Sequence, residues 1–110
     1  MNLKSLCLNY FYLFTCKNLA AISDMFADDC QLRDWENSGD GKNAVIAVYE
    51  KIFASVDTIA VTPRALYEDS SNTVIAELLI TINGREQIFV TDIITFDNDD
   101  KIVSVRAYKG

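Results

Sequence analysis

The chain contains no histidine in its 110 residues, and it has only one proline and four glycines. Histidine is the side chain whose ordinary pKa lies closest to neutral pH, so it carries much of enzymatic proton transfer. Its absence means that any acid–base chemistry here must use carboxylates, tyrosine, lysine or cysteine. It also leaves a metal site without its commonest ligand.

Cysteine is scarce as well, with Cys7, Cys16 and Cys30 as the three thiols. Their number is odd, their spacing fits no metal motif, and no histidine accompanies them. We expect reduced core thiols of a cytoplasmic protein, with no metal and no cofactor. The spacing alone leaves open a disulfide between Cys30 and either Cys7 or Cys16.

Positively charged residues are outnumbered, since the chain has ten Lys and Arg but sixteen Asp and Glu, which gives a net charge of −6. The basic residues are scattered and form no run, which argues against nucleic acid and against an anionic membrane surface as partners. The apolar run from Leu6 to Phe14 is interrupted by Asn9 and two tyrosines, and it is too short to span a membrane. Its spacing instead predicts an amphipathic first helix.

Length and hydrophobic patterning predict one globular domain over residues 1–110, since half of the residues are hydrophobic. Helical spacing is found near the N-terminus, after Asn18 and over about residues 43–54. We expect residues 27–29 to end the second helix and residues 37–41 to form a polar loop. From residue 57 the period is two, which predicts among others a strand over residues 73–82, and Asn83-Gly84 is a strong two-residue hairpin turn. We therefore predict an α+β fold in which helices pack on one face of a strongly curved antiparallel sheet, leaving a conical hollow.

Asp92 is the most informative single residue of the sequence. It lies within an alternating run with Ile88, Val90, Ile94 and Phe96, so all five side chains should point to one face of a strand. A carboxylate on an otherwise buried face is costly as an anion. We expect Asp92 to be buried, with its pKa raised.

Two further ionisable side chains are expected to point inward. Tyr10 lies on the apolar stripe of the first helix, and Asp34 continues the alternation of Cys30 and Leu32 at the end of a strand. Each residue alone is more often structural than catalytic. Three such groups converging on one hollow favour a functional site.

Several segments of the chain resemble bacterial ketosteroid isomerases. The segment from Met25 to Asp34 (MFADDCQLRD) is similar to that family's MYADDATVED stretch, within a resemblance that runs from Tyr10 to Tyr49. The segment from Thr91 to Asp97, with Lys101-Ile102 and Ala107-Tyr108, is similar to the C-terminal half. The resemblance implies the cystatin-like cone of the wider superfamily, which includes nuclear transport factor 2-like domains and SnoaL-type polyketide cyclases.

The resemblance also implies roles for particular residues. Tyr10 stands where the family has its hydrogen-bond-donating tyrosine, Asp34 where it has its general base, and Asp92 where it has the protonated acid of the oxyanion hole. Tyr49 matches a tyrosine that supports the catalytic one. Ketosteroid isomerase is an established example of such pKa tuning, and its chemistry needs no cofactor.

The sequence departs from the family at three positions. Phe26 replaces a tyrosine, Trp35 replaces a proline, and Lys109 replaces a tryptophan of one branch. We expect the pocket to be lined by Phe26, Trp35, Val90 and Ile94. A lysine near Asp92 would favour the anion and weaken an oxyanion hole.

Two functional classes follow from these observations. The first is a ketosteroid-isomerase-like enzyme that moves a proton alpha to the ketone of a small apolar substrate. The second is a non-catalytic ligand-binding or dimerisation module of the same fold. In both cases the outer sheet face should carry a homodimer contact, because apolar side chains recur there at Ile75, Leu79, Phe89 and Ile93.

Overall fold

A computed structural model describes residues 2–110 of the chain. The elements in chain order are helices α1 (Leu3–Thr15) and α2 (Leu19–Asp24), strands β1 (Phe26–Arg33) and β2 (Ser38–Asp40), helix α3 (Lys42–Ala54), and strands β3 (Ile59–Asp69), β4 (Thr73–Ile82), β5 (Glu86–Phe96) and β6 (Ile102–Lys109). The strands form one sheet in the order β2-β1-β6-β5-β4-β3. The helices pack against one face of this curved sheet, which confirms the predicted α+β cone.

Helices α1 and α2 begin where the sequence provides capping side chains, whereas α3 begins after Gly41 without one. The Asn2 carboxamide accepts a hydrogen bond from the Ser5 amide at 3.2 Å, and Asn18 accepts one from the Ala21 amide at 3.2 Å. Such caps satisfy amide groups that have no partner within the helix. The buried face of α1 carries Tyr10, as the helical spacing predicts.

The sheet is antiparallel except for one pair, since β1 runs parallel to β6 with Leu32 opposite Val105. Strand β3 has a register shift between Pro63 and Ala65, as expected for a proline in a strand. The β4–β5 hairpin turns at Asn83 and Gly84, whose φ angles are 54° and 70°. Ile82 is paired with Glu86, so the loop has three residues, 83–85, one more than the two-residue turn that the sequence predicts. Asn and Gly are the residues that most readily adopt such positive φ angles.

The structure corrects the sequence interpretation around β1 and β2. Residues 27–29, expected to end the second helix, belong to β1. Residues 38–40, expected to lie in a polar loop, form the edge strand β2, with Gly39 paired to Leu32. A three-residue strand is too short to show a period of two, so only the pairing with β1 defines it.

The three cysteines are free thiols, so neither of the pairings left open by their spacing is formed. Cys7 and Cys30 are buried in the core, whereas Cys16 is exposed, contrary to the expectation of three core thiols. Within residues 2–110, no helix is long and apolar enough to cross a membrane.

Candidate active site

A cavity of about 330 Å³ lies between the helices and the inner face of the sheet. Its walls are mainly apolar and come from α1, α3, strands β1 and β3 to β6, and the loop between β1 and β2, for example Phe11, Phe14, Leu78, Ile80, Ile88 and Val105. An apolar cavity with a few polar groups is the usual form of a small-molecule site. In this chain those polar groups include Tyr10, Asp34, Tyr49 and Asp92.

Asp92 is held in the cavity wall by β5, in register with Ala76 on one side and Ala107 on the other. The residue is 7% exposed. Its carboxyl group makes no hydrogen bond or ion pair with any residue in the described part of the chain, Lys109 and Arg106 included. Every side-chain oxygen that is completely enclosed in that part of the chain has a hydrogen-bond partner. The Asp92 oxygens have none, so they must keep some exposed surface, and the cavity that Asp92 lines provides it.

Burial raises the pKa of Asp92 from 3.8 to about 7, and the nearby charge of Asp34 contributes to the rise. Desolvation disfavours the charged form of a carboxyl group, and a neighbouring anion adds to that effect. A carboxyl group with this pKa is largely protonated below neutral pH. It can then donate a hydrogen bond to a molecule in the cavity.

Tyr10 and Tyr49 form a buried pair in which the two hydroxyl oxygens are 2.5 Å apart. Both residues are 2% exposed. Burial is the main reason that the pKa of each tyrosine is raised, so both remain neutral at physiological pH. Each hydroxyl has a single proton, and the Tyr10 proton is available to the cavity when Tyr49 is the donor of the shared bond.

Asp34 lies one residue beyond β1, in the loop that leads to β2. Its Oδ1 accepts hydrogen bonds from the backbone amides of Glu36 at 2.7 Å and Asn37 at 2.6 Å. The Asn37 side-chain amide contacts Oδ1 at 3.3 Å and Oδ2 at 3.2 Å. Asp34 lines the cavity, and the loop amides, not strand alternation, set the position of its carboxylate.

Two of the four expected pocket residues, Trp35 and Val90, line the cavity, and the other two do not. Phe26 lies behind the tyrosines, with its ring centre 6.2 Å from that of Tyr10 and 5.7 Å from that of Tyr49. Ile94 is fully buried in the hydrophobic core. Phe26 and Ile94 therefore lie outside the lining of this cavity.

Asn37 and Lys51 are part of the site and were not predicted from the sequence. Asn37 lines the cavity beside Asp34, and the Lys51 ammonium on α3 donates to the Asn37 side-chain oxygen at 3.1 Å. An Asp side chain commonly accepts a hydrogen bond from a backbone amide two residues on, which could have indicated that Asp34 is held by its own loop. No comparable local pattern indicates Lys51, which is fourteen residues away from Asn37.

Among residues 2–110, no group of three or more His, Cys, Asp or Glu side chains is arranged to hold a metal ion. The ionisable groups that face the cavity are carboxyl, phenol and, at Lys109, ammonium groups. This set can donate hydrogen bonds to a carbonyl oxygen and can accept a proton.

A family model described as a SnoaL-like domain matches residues 8–105. Among curated proteins, no sequence matches this chain. Solved structures match over most of their length at low identity. One is described as an epoxide hydrolase/cyclase-like enzyme, SalBIII, with a role in pyran ring formation in the polyether salinomycin. Its TM-score is 0.85 at 19% identity, over 98% of this chain and 90% of that chain.

Two further solved structures are similar. A putative isomerase of the SnoaL-like family from Agrobacterium tumefaciens has a TM-score of 0.83 at 11% identity, covering 96% of this chain and 95% of that one. A putative polyketide cyclase from Sinorhizobium meliloti has a TM-score of 0.79 at 16% identity, covering 89% and 88%. At these identities the similarity establishes the fold alone.

Proposed function

We propose that this chain, which belongs to the SnoaL-like domain family, is an isomerase of ketosteroid type that moves a proton alpha to the carbonyl of a small apolar ketone. One observation carries the proposal. Asp92 is a buried carboxyl group without a partner in the described chain, and it faces the cavity that also contains Tyr10 and Asp34. A purely structural carboxyl group in such a position would need hydrogen-bond partners.

Asp34 is the proposed base. As a carboxylate it removes a proton from the carbon next to the ketone, and the electron pair of that C–H bond moves to form a dienolate. Asp34 then returns the same proton to the gamma carbon, so the double bond comes into conjugation with the carbonyl group. No external reactant is required, since one carboxylate both accepts and donates the proton.

Tyr10 and neutral Asp92 are the proposed donors to the oxygen on which negative charge develops. Their hydrogen bonds strengthen as the dienolate forms, which lowers the barrier more than it lowers the energy of the bound ketone. Tyr49 supports Tyr10 by donating to its oxygen, and a donor of this kind strengthens the bond that Tyr10 makes in turn.

The apolar cavity walls favour a substrate that is apolar apart from its carbonyl group. The solved relatives described as a putative isomerase and as a putative polyketide cyclase support a reaction of the isomerase or cyclase type. We propose a ketone because the cavity combines two donors, Tyr10 and Asp92, with a base, Asp34. The relatives do not determine this choice.

The alternative is a non-catalytic ligand-binding or dimerisation module. The observation that favours it is the set of hydrogen bonds on Asp34, which would equally suit a carboxylate that only stabilises its loop. The two functions differ in whether Asp34 transfers a proton.

An absorbance assay for the conjugated enone, with a steroid and a smaller cyclic β,γ-unsaturated ketone, distinguishes the two. Asp34→Asn should abolish the reaction, because the amide keeps an oxygen acceptor for the loop but is not a base. Tyr10→Phe and Asp92→Ala should each reduce the rate about 10²–10³-fold. Asp40→Asn, an exposed carboxylate on β2, is the matched control and should change nothing. Equal rates for wild type and Asp34→Asn would favour the binding module.

We also propose that the protein is a homodimer through the outer face of the sheet. Ile75 and Phe89 are 37% and 55% exposed there. Ile75 is paired with Ile93 and Phe89 with Leu79, so the four apolar side chains lie on adjacent strands. An apolar group of this kind is typical of a contact surface.

A further inference from the structure

We infer that Asn37 and Lys51 are positioning residues that orient the carboxylate of Asp34 so that its Oδ2 is the proton-accepting atom. This inference rests on the proposed function, in which Asp34 is the base. It assigns a role to two side chains that neither the fold nor the family resemblance identifies. Neither residue would contact the substrate's reacting atoms.

The hydrogen bonds on Asp34 are distributed unequally between its two oxygens. Oδ1 accepts from both backbone amides, at 2.7 and 2.6 Å, and from the Asn37 side chain at 3.3 Å. Oδ2 has a single contact, with the same Asn37 nitrogen at 3.2 Å. A carboxylate oxygen has two lone-pair directions, so Oδ2 keeps a free one while Oδ1 is occupied.

Asn37 can act on both oxygens only if its side-chain NH2 group points toward Asp34. Lys51 fixes that orientation, because an ammonium group can donate but cannot accept, and it therefore requires the Asn37 oxygen on its side. A flipped Asn37 would place two donors against each other at Lys51 and two acceptors against each other at Asp34. The hydrogen bonds that link Lys51, Asn37 and Asp34 therefore have one arrangement in which every donor meets an acceptor.

Helix α3 connects these hydrogen bonds to the pair of tyrosines. Lys51 and Tyr49 are two residues apart on α3, and Tyr49 holds Tyr10 through the bond between their hydroxyl groups. One rigid helix therefore sets the position of both the base loop and the tyrosine donor. An error in the position of a reacting group of about 1 Å can reduce a rate about 100-fold, so this shared support is relevant to catalysis.

Kinetics of three variants and one control variant test the inference. Asn37→Ala and Lys51→Met should lower kcat, by about 100-fold and about 10-fold, with KM nearly unchanged, because the apolar side chains that bind the substrate stay in place. Lys51→Arg keeps the donor and should restore most of the rate. Lys42→Met removes a lysine from the other end of α3 and is the matched control.

A second readout does not depend on activity. The NMR signals of the Asn37 side-chain amide should differ from those of exposed asparagines, and they should move toward the exposed values in Lys51→Met and in Asp34→Ala but not in Lys42→Met. Unchanged signals in Lys51→Met, or unchanged kcat in Asn37→Ala at wild-type thermal stability, would overturn the inference while leaving the isomerase proposal in place. If wild type and Asp34→Asn are equally inactive, the proposed function fails, and the NMR result alone decides whether Lys51 and Asn37 orient Asp34.

Discussion

Replacing Asp92 by asparagine should change how the stability of the protein depends on pH. The pKa of Asp92 is about 7 in the folded chain, against 3.8 for an ordinary aspartate. Between those two pH values the folded state retains a proton that the unfolded state releases. Stability must therefore fall as pH rises through this interval.

The size of the effect follows from the difference of 7 − 3.8, about 3 pKa units. At about 1.4 kcal/mol per unit, the free energy of unfolding should decrease by about 4 kcal/mol in total. The stabilising contribution of the protonated group is fully present below about pH 4, and it is lost as pH rises through about 7. The carboxamide of the Asp92→Asn variant has no charge to desolvate, so the variant lacks this loss. Its free energy of unfolding should therefore increase relative to that of wild type as pH rises.

The assay is urea unfolding of wild type and Asp92→Asn at several pH values between about 4 and 8, with Asp40→Asn as the exposed control. Other titrating groups are common to all three proteins, so they cancel in the differences. The reasoning is refuted if the stability difference between wild type and Asp92→Asn stays constant across this range, or if it changes with the opposite sign.

Two further predictions concern activity and assembly. Isomerisation should decline as pH rises through about 7, because ionised Asp92 no longer donates a hydrogen bond, and a rate that keeps rising to about pH 9 would contradict the donor role. Wild type should sediment as a dimer at micromolar concentration, whereas Phe89→Glu should be monomeric. Tyr12→Glu, which changes an exposed aromatic residue on α1, is the control and should remain dimeric. A monomeric wild type would disprove the sheet contact.

Local periodicity was sufficient for most of the fold. The strand predicted over residues 73–82 has those bounds, and the third helix begins one residue earlier than predicted. These elements pack one face against the core, so their sequences carry a period. Strand β2 carries none, because its three residues are defined only by pairing with β1. A single sequence does not show which distant segments come into contact.

The same distinction applies to the site. Asp92 and Tyr10 were predicted as inward-facing because each is part of a periodic apolar pattern. Asp34 faces the cavity for a different reason, since the loop amides hold it after β1 has ended. Lys51 could not be predicted, because its role depends on how close α3 comes to that loop. Side chains fixed by tertiary contacts need the structure.

The absence of histidine and the burial of Asp92 are two aspects of one arrangement. A chain without histidine has no side chain that ordinarily titrates near neutral pH, and here burial moves a carboxyl group into that range. At neutral pH this placement costs up to about 4 kcal/mol of folding stability, a large fraction of what a domain of this size possesses. An apolar residue at position 92 would avoid that loss and would match its neighbours on the strand. The destabilising carboxyl group therefore argues for a task in the cavity, because proteins commonly lose stability at the sites where they act.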